Sequence, residues 1–86
     1  MKTVIIFHEV DDVAHWLGSA KRKEVFGALG MTVRTFVDPT KTHRVGLIVE
    51  TPDMSTLQKM LESPEAAVAM KHDGVRPSTI VMLVES

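Results

Sequence analysis

The 86-residue chain contains no cysteine and no tyrosine, and it has one tryptophan. Without thiols, neither a disulfide framework nor a thiolate metal site can stabilise the fold. A chain this short buries only about 60% of the surface that it exposes when unfolded, so a second source of apolar burial is expected. We therefore expect one domain over residues 1–86, a partner subunit and, by default, a cytoplasmic protein.

Long apolar runs and an excess of one charge are also missing. The apolar run 4–7 is too short for a signal sequence or a membrane span, and no other segment approaches about 18 apolar residues. The formal net charge is −1, whereas nucleic-acid binding usually requires a basic face. The one basic run, 21–23, is followed by Glu24 and is interpreted as the solvated face of a helix. The sequence predicts no membrane partner and no nucleic-acid partner.

What the chain does contain is one pattern twice: an apolar strand, a helix, a second helix that starts at a serine, and another strand. Residues 7–20 are echoed by residues 48–64. Two such halves are typical of a ferredoxin-like βαββαβ fold of the α+β class, with a four-stranded antiparallel sheet and helices on one face. Strands are predicted over about 3–9, 31–37, 44–50 and 79–85, and helices over about 13–17, 21–29, 53–62 and 64–72.

The helical spacing of apolar residues places them on an apolar stripe of each predicted helix. The sets are Val13, Trp16 and Leu17; Val25, Phe26 and Leu29; Met54, Leu57, Met60 and Leu61; and Ala67, Val68 and Met70. The last helix is expected to start at Ser63, to end at Gly74 and to be kept from continuing by Pro77.

Three predicted strands carry apolar residues on both faces, over 4–7, 45–49 and 80–84. An antiparallel sheet with one solvated face would alternate apolar and polar residues instead. Because the helices cover only one side, we expect the other face to pack against the same face of a second copy, forming a homodimeric α/β barrel. The alternative is a monomer with an exposed apolar sheet, which is prone to aggregation.

His8 is the first candidate for chemistry, because its neighbours in the first strand are apolar. A buried imidazole can act as a general base or a ligand, and the alternative is a core histidine with one hydrogen bond. Arg34 interrupts the second strand, and Glu50 and Arg44 flank the third, so a polar pocket is predicted at one end of an apolar chamber. Cross-strand charge pairing at a solvent-facing edge is the alternative for these residues.

Trp16 and His72 complete the candidate site. Trp16 is interpreted either as a pocket wall or as a core residue. The end of its helix and the adjacent Asp73 both favour protonated His72, which either caps the helix or lines the mouth of the chamber near Arg76. The other histidines, at 15 and 43, are expected to face solvent, and the four do not have the spacing of a helical zinc motif. No nucleophile with its base, phosphate loop or dinucleotide motif is recognisable.

The segment 8–16 resembles the pattern His-x-Val-x-Asp-x-x-x-Trp of the dimeric α/β-barrel superfamily, which includes antibiotic biosynthesis monooxygenase-like and cyclase-like proteins. Ser63-Pro64-Glu65, followed by Met70 and Gly74-Val75, extends the resemblance over the whole chain. The absence of tyrosine and of a second tryptophan argues against the site of haem-degrading relatives, so no cofactor is predicted.

The resemblance implies a homodimer that binds a small aromatic or carbonyl-containing molecule, with cofactor-free monooxygenase or cyclase activity as the expected chemistry. His8 would be the base or hydrogen-bond anchor and Arg34 the partner of an anion, while Trp16, His72 and Glu50 would contact the substrate. The alternative is a non-catalytic, metal-binding or stress-related dimer in which His8, His43 or His72 bind a divalent ion across the subunits. A third hypothesis is an interaction domain without a pocket.

Overall fold

A computed structural model describes residues 1–86. The elements are β1 (Lys2–Val10), α1 (Val13–Gly18), α2 (Lys21–Gly27), β2 (Thr32–Val37), β3 (Arg44–Thr51), α3 (Met54–Leu61), α4 (Pro64–Asp73) and β4 (Val75–Val84). The strands form one antiparallel sheet in the order β2-β3-β1-β4. The predicted ferredoxin-like α+β fold is therefore confirmed, with both helical regions split in two. None of the helices has the length and apolar character needed to cross a membrane.

Local capping explains why the helices begin where they do. The Asp12 carboxylate accepts a hydrogen bond from the N–H of His15, and the Ser63 hydroxyl accepts one from the N–H of Ala66. Both side chains satisfy a backbone donor that has no partner within its helix. Gly74 ends α4 with φ of +73°, a left-handed conformation that glycine adopts without steric cost.

Strand alternation separates the two faces of the sheet. Val4, Ile6 and His8 of β1 are buried towards the helices, whereas Ile5 and Phe7 point to the opposite face. The remaining core residues come from β1, from β3, from the segment before β2 and from all four helices: Val10, Trp16, Phe26, Met31, Val45, Leu47, Val49, Leu57, Met60 and Ala66. The structure thus decides a question that the sequence left open, since His8 lies on the helix side.

The face of the sheet that carries no helices is apolar and exposed. Its large exposed side chains come from three strands: Ile5, Phe7, Phe36, Val81 and Leu83. Their partners across the strands lie on the same face, with Ile5 opposite both Ile48 and Leu83. A large apolar surface that is exposed to water is usually a site where a partner binds.

The last strand begins earlier than the sequence predicts. β4 starts at Val75 and contains Pro77, whereas the prediction began at 79. Pro77 is tolerated because the pairing with β1 is interrupted there: Glu9 pairs with Arg76, and the next pair on that side joins 7 to 81. Within the interruption, the Thr79 hydroxyl accepts a hydrogen bond from the Glu9 N–H at 2.8 Å and so replaces a ladder bond.

Some residues of the predicted apolar stripes are not buried. Val68 is 67% exposed, and Leu17 and Leu29 are exposed as well. The face of α4 that meets the sheet is instead formed by Ala66, Ala69, Met70 and Asp73. These four residues have the helical spacing i, i+3, i+4 and i+7. The buried face of α4 is therefore apolar except for Asp73.

Candidate functional site

A cavity of about 80 Å³ lies between the sheet and the helices. Twelve of its 15 lining residues are hydrophobic, and the other three are His8, Arg22 and Asp73. The hydrophobic residues come from the sheet and from α2, α3 and α4: Ile6, Val25, Phe26, Leu47, Met60, Leu61, Ala66, Ala69, Met70, Val75, Ile80 and Met82. An apolar cavity with a few converging polar groups is the usual form of a small-molecule site.

The imidazole of His8 is the least satisfied polar group of the cavity wall. His8 is 6% exposed, and its Nδ1 is buried without a hydrogen-bond partner. Burial, and then the positive charge of Arg22, lower the pKa of His8 from 6.5 to about 4. His8 is therefore neutral at physiological pH and carries an unused hydrogen-bonding nitrogen.

Trp16 lies behind the polar residues and does not line the cavity itself. Its ring meets the His8 ring edge to face, with centroids 5.6 Å apart and planes at 71°. The Arg22 guanidinium also packs on the Trp16 ring, with its Cζ 4.0 Å from the ring centroid. Trp16 is thus buried as a core residue would be, and it packs against two residues that line the cavity, His8 and Arg22.

Arg22 was interpreted as part of a solvated basic run, and this is wrong. Its side chain is only 11% exposed, and its Nη1 donates to the Trp16 carbonyl at 2.9 Å and lies 3.5 Å from Asp73 Oδ2. Burial lowers the pKa of Arg22, and Asp73 opposes this change. The spacing of Arg22 with Val25 and Phe26 is i, i+3 and i+4, which was the signal in the sequence for its burial.

Asp73 joins the cavity to the protein surface. The residue is 3% exposed; its Oδ2 faces Arg22, and its Oδ1 accepts a hydrogen bond from His72 Nδ1 at 2.9 Å. His72 itself is exposed and does not line the cavity. Arg76 lies elsewhere, since its guanidinium binds the Asp11 and Glu9 carboxylates. Of the predicted group near the mouth, only Asp73 contributes to the cavity wall.

Arg34 and Glu50 lie on the opposite face of the sheet from His8. Arg34 pairs with Ile48, which is on the face without helices, and Glu50 pairs with residue 3 of β1 on that same face. His8 pairs with Val45 on the helix side. The structure therefore does not bring Arg34 and His8 into one site within the chain, because the alternation of side chains sends them to different faces. The cationic residue that lines the cavity together with His8 is Arg22, and not Arg34.

The histidines fall into three separate places. His8 lines the cavity, and His43 donates from Nδ1 to the Val10 carbonyl at 2.9 Å, at the end of the β2-β3 hairpin. His15 and His72 lie against each other, with ring centroids 5.3 Å apart. His8, His43 and His72 thus lie apart within one chain, and an ion bound across two subunits by any of them stays a prediction. The pairing of His15 with His72 was missed because α1 and α4 meet only in the folded chain.

Comparisons with known proteins agree with this architecture. No protein-family model matches the sequence, and no curated protein matches it. Among solved structures, an antibiotic biosynthesis monooxygenase has a TM-score of 0.66 and 15% sequence identity, with 100% of this chain and 97% of that chain covered.

Two further solved structures share the fold. A candidate antibiotic biosynthesis monooxygenase from Deinococcus radiodurans has a TM-score of 0.57 and 11% identity, covering 100% of this chain and 91% of that one. An ethyl tert-butyl ether D family protein from Bacillus halodurans has a TM-score of 0.54 and 12% identity, covering 100% and 98%. At these identities the comparison concerns architecture, and the chain has the ferredoxin-like fold of antibiotic biosynthesis monooxygenase-like proteins.

Proposed function

We propose that the protein binds a small, largely apolar molecule with an aromatic ring or a carbonyl group in the cavity between the sheet and the helices. The observation that carries the proposal is the buried, unpartnered Nδ1 of His8 in a largely apolar cavity wall, whose only other polar residues are Arg22 and Asp73. An unpaired buried nitrogen lowers stability, and a hydroxyl or carbonyl group of a ligand would provide the missing partner.

The electrostatics favour a role for His8 as a hydrogen-bond anchor when the ligand first binds, before any proton is transferred. With its pKa lowered to about 4, the imidazole is a weak base in the empty cavity. A phenolate or enolate formed beside it would raise that pKa, because an anion favours the imidazolium form. Arg22 faces the same cavity and would stabilise the developing negative charge. His8 and Arg22 together could therefore promote loss of a proton from a phenol or from a carbon next to a carbonyl group.

Cofactor-free monooxygenation or cyclisation are the reactions that fit this arrangement. Both require an activated electron-rich carbon, and the cavity residues supply a proton acceptor and a cation around an apolar space. In the monooxygenation, dioxygen would be the second substrate and the oxidant: a CH2 group of the substrate becomes C=O, and the second oxygen atom leaves as water. The fold shared with an antibiotic biosynthesis monooxygenase supports this choice of reaction class.

The same proposal includes a homodimer formed through the face of the sheet that carries no helices. Phe7 and Leu83 are exposed on that face, together with Ile5 and Phe36. Packing two such faces would remove a large apolar surface from water and compensate for the small core of a short chain. Arg34 and Glu50 would then lie in the dimer interface, where contact with a ligand remains a prediction. The alternative, a divalent metal ion bound across two subunits by His8, His43 or His72, stays a prediction; the three histidines lie apart within one chain.

The decisive experiment combines native mass spectrometry of untagged protein with ligand titrations followed by Trp16 fluorescence. Trp16 is the only tryptophan and contacts both His8 and Arg22, so a cavity ligand should alter its emission. We expect a retained organic molecule, or saturable responses to small hydroxylated aromatic compounds that weaken at least about tenfold in His8→Leu. The control His43→Ala should bind as the unchanged protein does. No adduct and no saturable response across phenols, naphthols and their keto analogues would refute the proposal.

A further inference from the structure

We propose that His15, His72 and Asp73 form a binding site for a divalent transition-metal ion at the outer end of α4. Each residue offers one ligand atom, and these atoms lie within 4.8 Å of one another. Two imidazoles and a carboxylate that converge in this way can be drawn onto one ion by small side-chain rotations. The site shares Asp73 with the cavity wall, whereas its two histidines lie outside the cavity. It does not depend on the ligand proposed for the cavity.

The tertiary structure holds the two imidazoles in place from different elements. His15 belongs to α1, and its Nε2 donates to the His72 backbone carbonyl at 2.7 Å. This bond fixes the His15 ring against the end of α4, and the two rings lie 5.3 Å apart at an angle of 39°. The arrangement limits the rotamer entropy that binding an ion would cost.

Asp73 is supported from behind in the manner of a metal-ligating carboxylate. Its Oδ1 faces His72 Nδ1 at 2.9 Å, while Oδ2 lies 3.5 Å from the Arg22 guanidinium. A ligating carboxylate commonly has a second interaction of this kind, which orients it. The ion would take the place of the hydrogen between Nδ1 and Oδ1, and the neutral His72 ring would then carry its N–H on Nε2.

Exposure and donor chemistry indicate which ion would bind. Both imidazoles are exposed, so an ion can reach the site directly from solvent, while the carboxylate is buried behind them. Imidazole nitrogen favours Zn²⁺, Ni²⁺ and Cu²⁺, whereas Mg²⁺ and Ca²⁺ favour oxygen ligands. Three protein ligands would leave at least one coordination position for water or for an exchangeable ligand.

Calorimetric titration of untagged, chelator-treated protein with Zn²⁺ tests the site. We expect about one ion per chain, at least about tenfold weaker binding in His15→Ala and in His72→Ala, and no saturable binding of Mg²⁺. His43→Ala is the matched control, because His43 is also exposed but lies at the β2-β3 hairpin, and it should bind Zn²⁺ normally. Failure of the unchanged protein to bind, or equal losses in all three variants, would overturn the proposal.

A second measurement uses the unchanged protein, so its result does not depend on whether the variants fold. The chain has four histidines, so their ring signals can be followed individually by NMR during Zn²⁺ addition. The signals of His15 and His72 should change first and saturate together, with those of His8 and His43 unaffected. Earlier changes at His43 would show adsorption to any exposed imidazole and would contradict the assigned site.

Discussion

The guanidinium of Arg22 lies over the Trp16 ring, with Cζ 4.0 Å from the ring centroid, and the same guanidinium faces the Asp73 carboxylate. Arg22 thereby connects α1, α2 and the end of α4 around one wall of the cavity. His8 meets the same tryptophan from β1. The polar part of the cavity is thus one connected group built on the only tryptophan of the chain.

Loss of Arg22 should leave the buried Asp73 carboxylate with fewer partners. We expect Arg22→Met to lower the free energy of unfolding by about 2 kcal/mol, because a buried charge without its counterion is costly. Arg22→Lys should recover only part of the loss, since an ammonium group cannot reproduce the stacked guanidinium. Urea unfolding measures both effects. Lys23→Met, which changes an exposed neighbour, should alter stability by less than about 0.5 kcal/mol; an equal loss there would show a general effect of charge.

His8 should make the stability depend on pH. Its folded pKa, about 4, lies below its ordinary value of 6.5. Between these pH values the unfolded chain binds a proton that the folded chain does not, so the free energy of unfolding should fall as the pH decreases from 6.5 to 4. Unfolding series from about pH 7 to about pH 4, with an NMR titration of the His8 ring, measure the effect. An unchanged His8 pKa near 6.5 would contradict the expected burial.

His8→Leu separates a binding role from a packing role. The leucine removes a buried nitrogen without a partner, so we expect the variant to be as stable as the unchanged protein or more stable at neutral pH. The dependence of stability on pH below about 6.5 should become shallower in the same variant. Thermal and urea unfolding provide the comparison. Strong destabilisation at neutral pH would indicate that His8 is retained for packing.

Filling the cavity should abolish ligand binding without touching the polar residues. Ala69 lines the cavity on α4, and Ala69→Leu would place three additional carbon atoms in that space. We expect at least about tenfold weaker binding of any cavity ligand and little loss of stability. Val68→Leu adds bulk to the exposed side of the same helix and serves as the control. Fluorescence titration measures both, and equal binding by the two variants would place the ligand outside the cavity.

A charge on the face of the sheet without helices should prevent dimer formation. Phe7 is 48% exposed in the single chain, so Phe7→Lys is compatible with the fold but would bury a charge between two copies. Sedimentation velocity should show a dimer for the unchanged protein and a monomer for this variant. Val68→Lys on the outer side of α4 should remain dimeric. A monomeric unchanged protein would rule out this interface.

The fold could be predicted because its signals are local. The repeated pattern, the cap at Ser63 and the apolar periods predicted the four strands and the split helices to within a few residues, apart from the early start of β4. Pro77 misled the prediction because an interruption in strand pairing, which sequence alone does not reveal, accommodates it. The candidate site was predicted less well, since its polar members come from β1, α2 and α4.

The sequence by itself determined that the chain forms an antiparallel sheet with apolar residues on both faces, because strand and helix periods depend on neighbours in the chain. Only the tertiary structure decided which face His8 occupies, and it paired His8 with Arg22 instead of Arg34. The register of the strands determines on which face of the sheet each side chain lies. The packing of the helices on the sheet determines which side of each helix is buried. The meeting of His15 with His72 and Asp73 depends on the same long-range packing, which leaves no pattern within either segment.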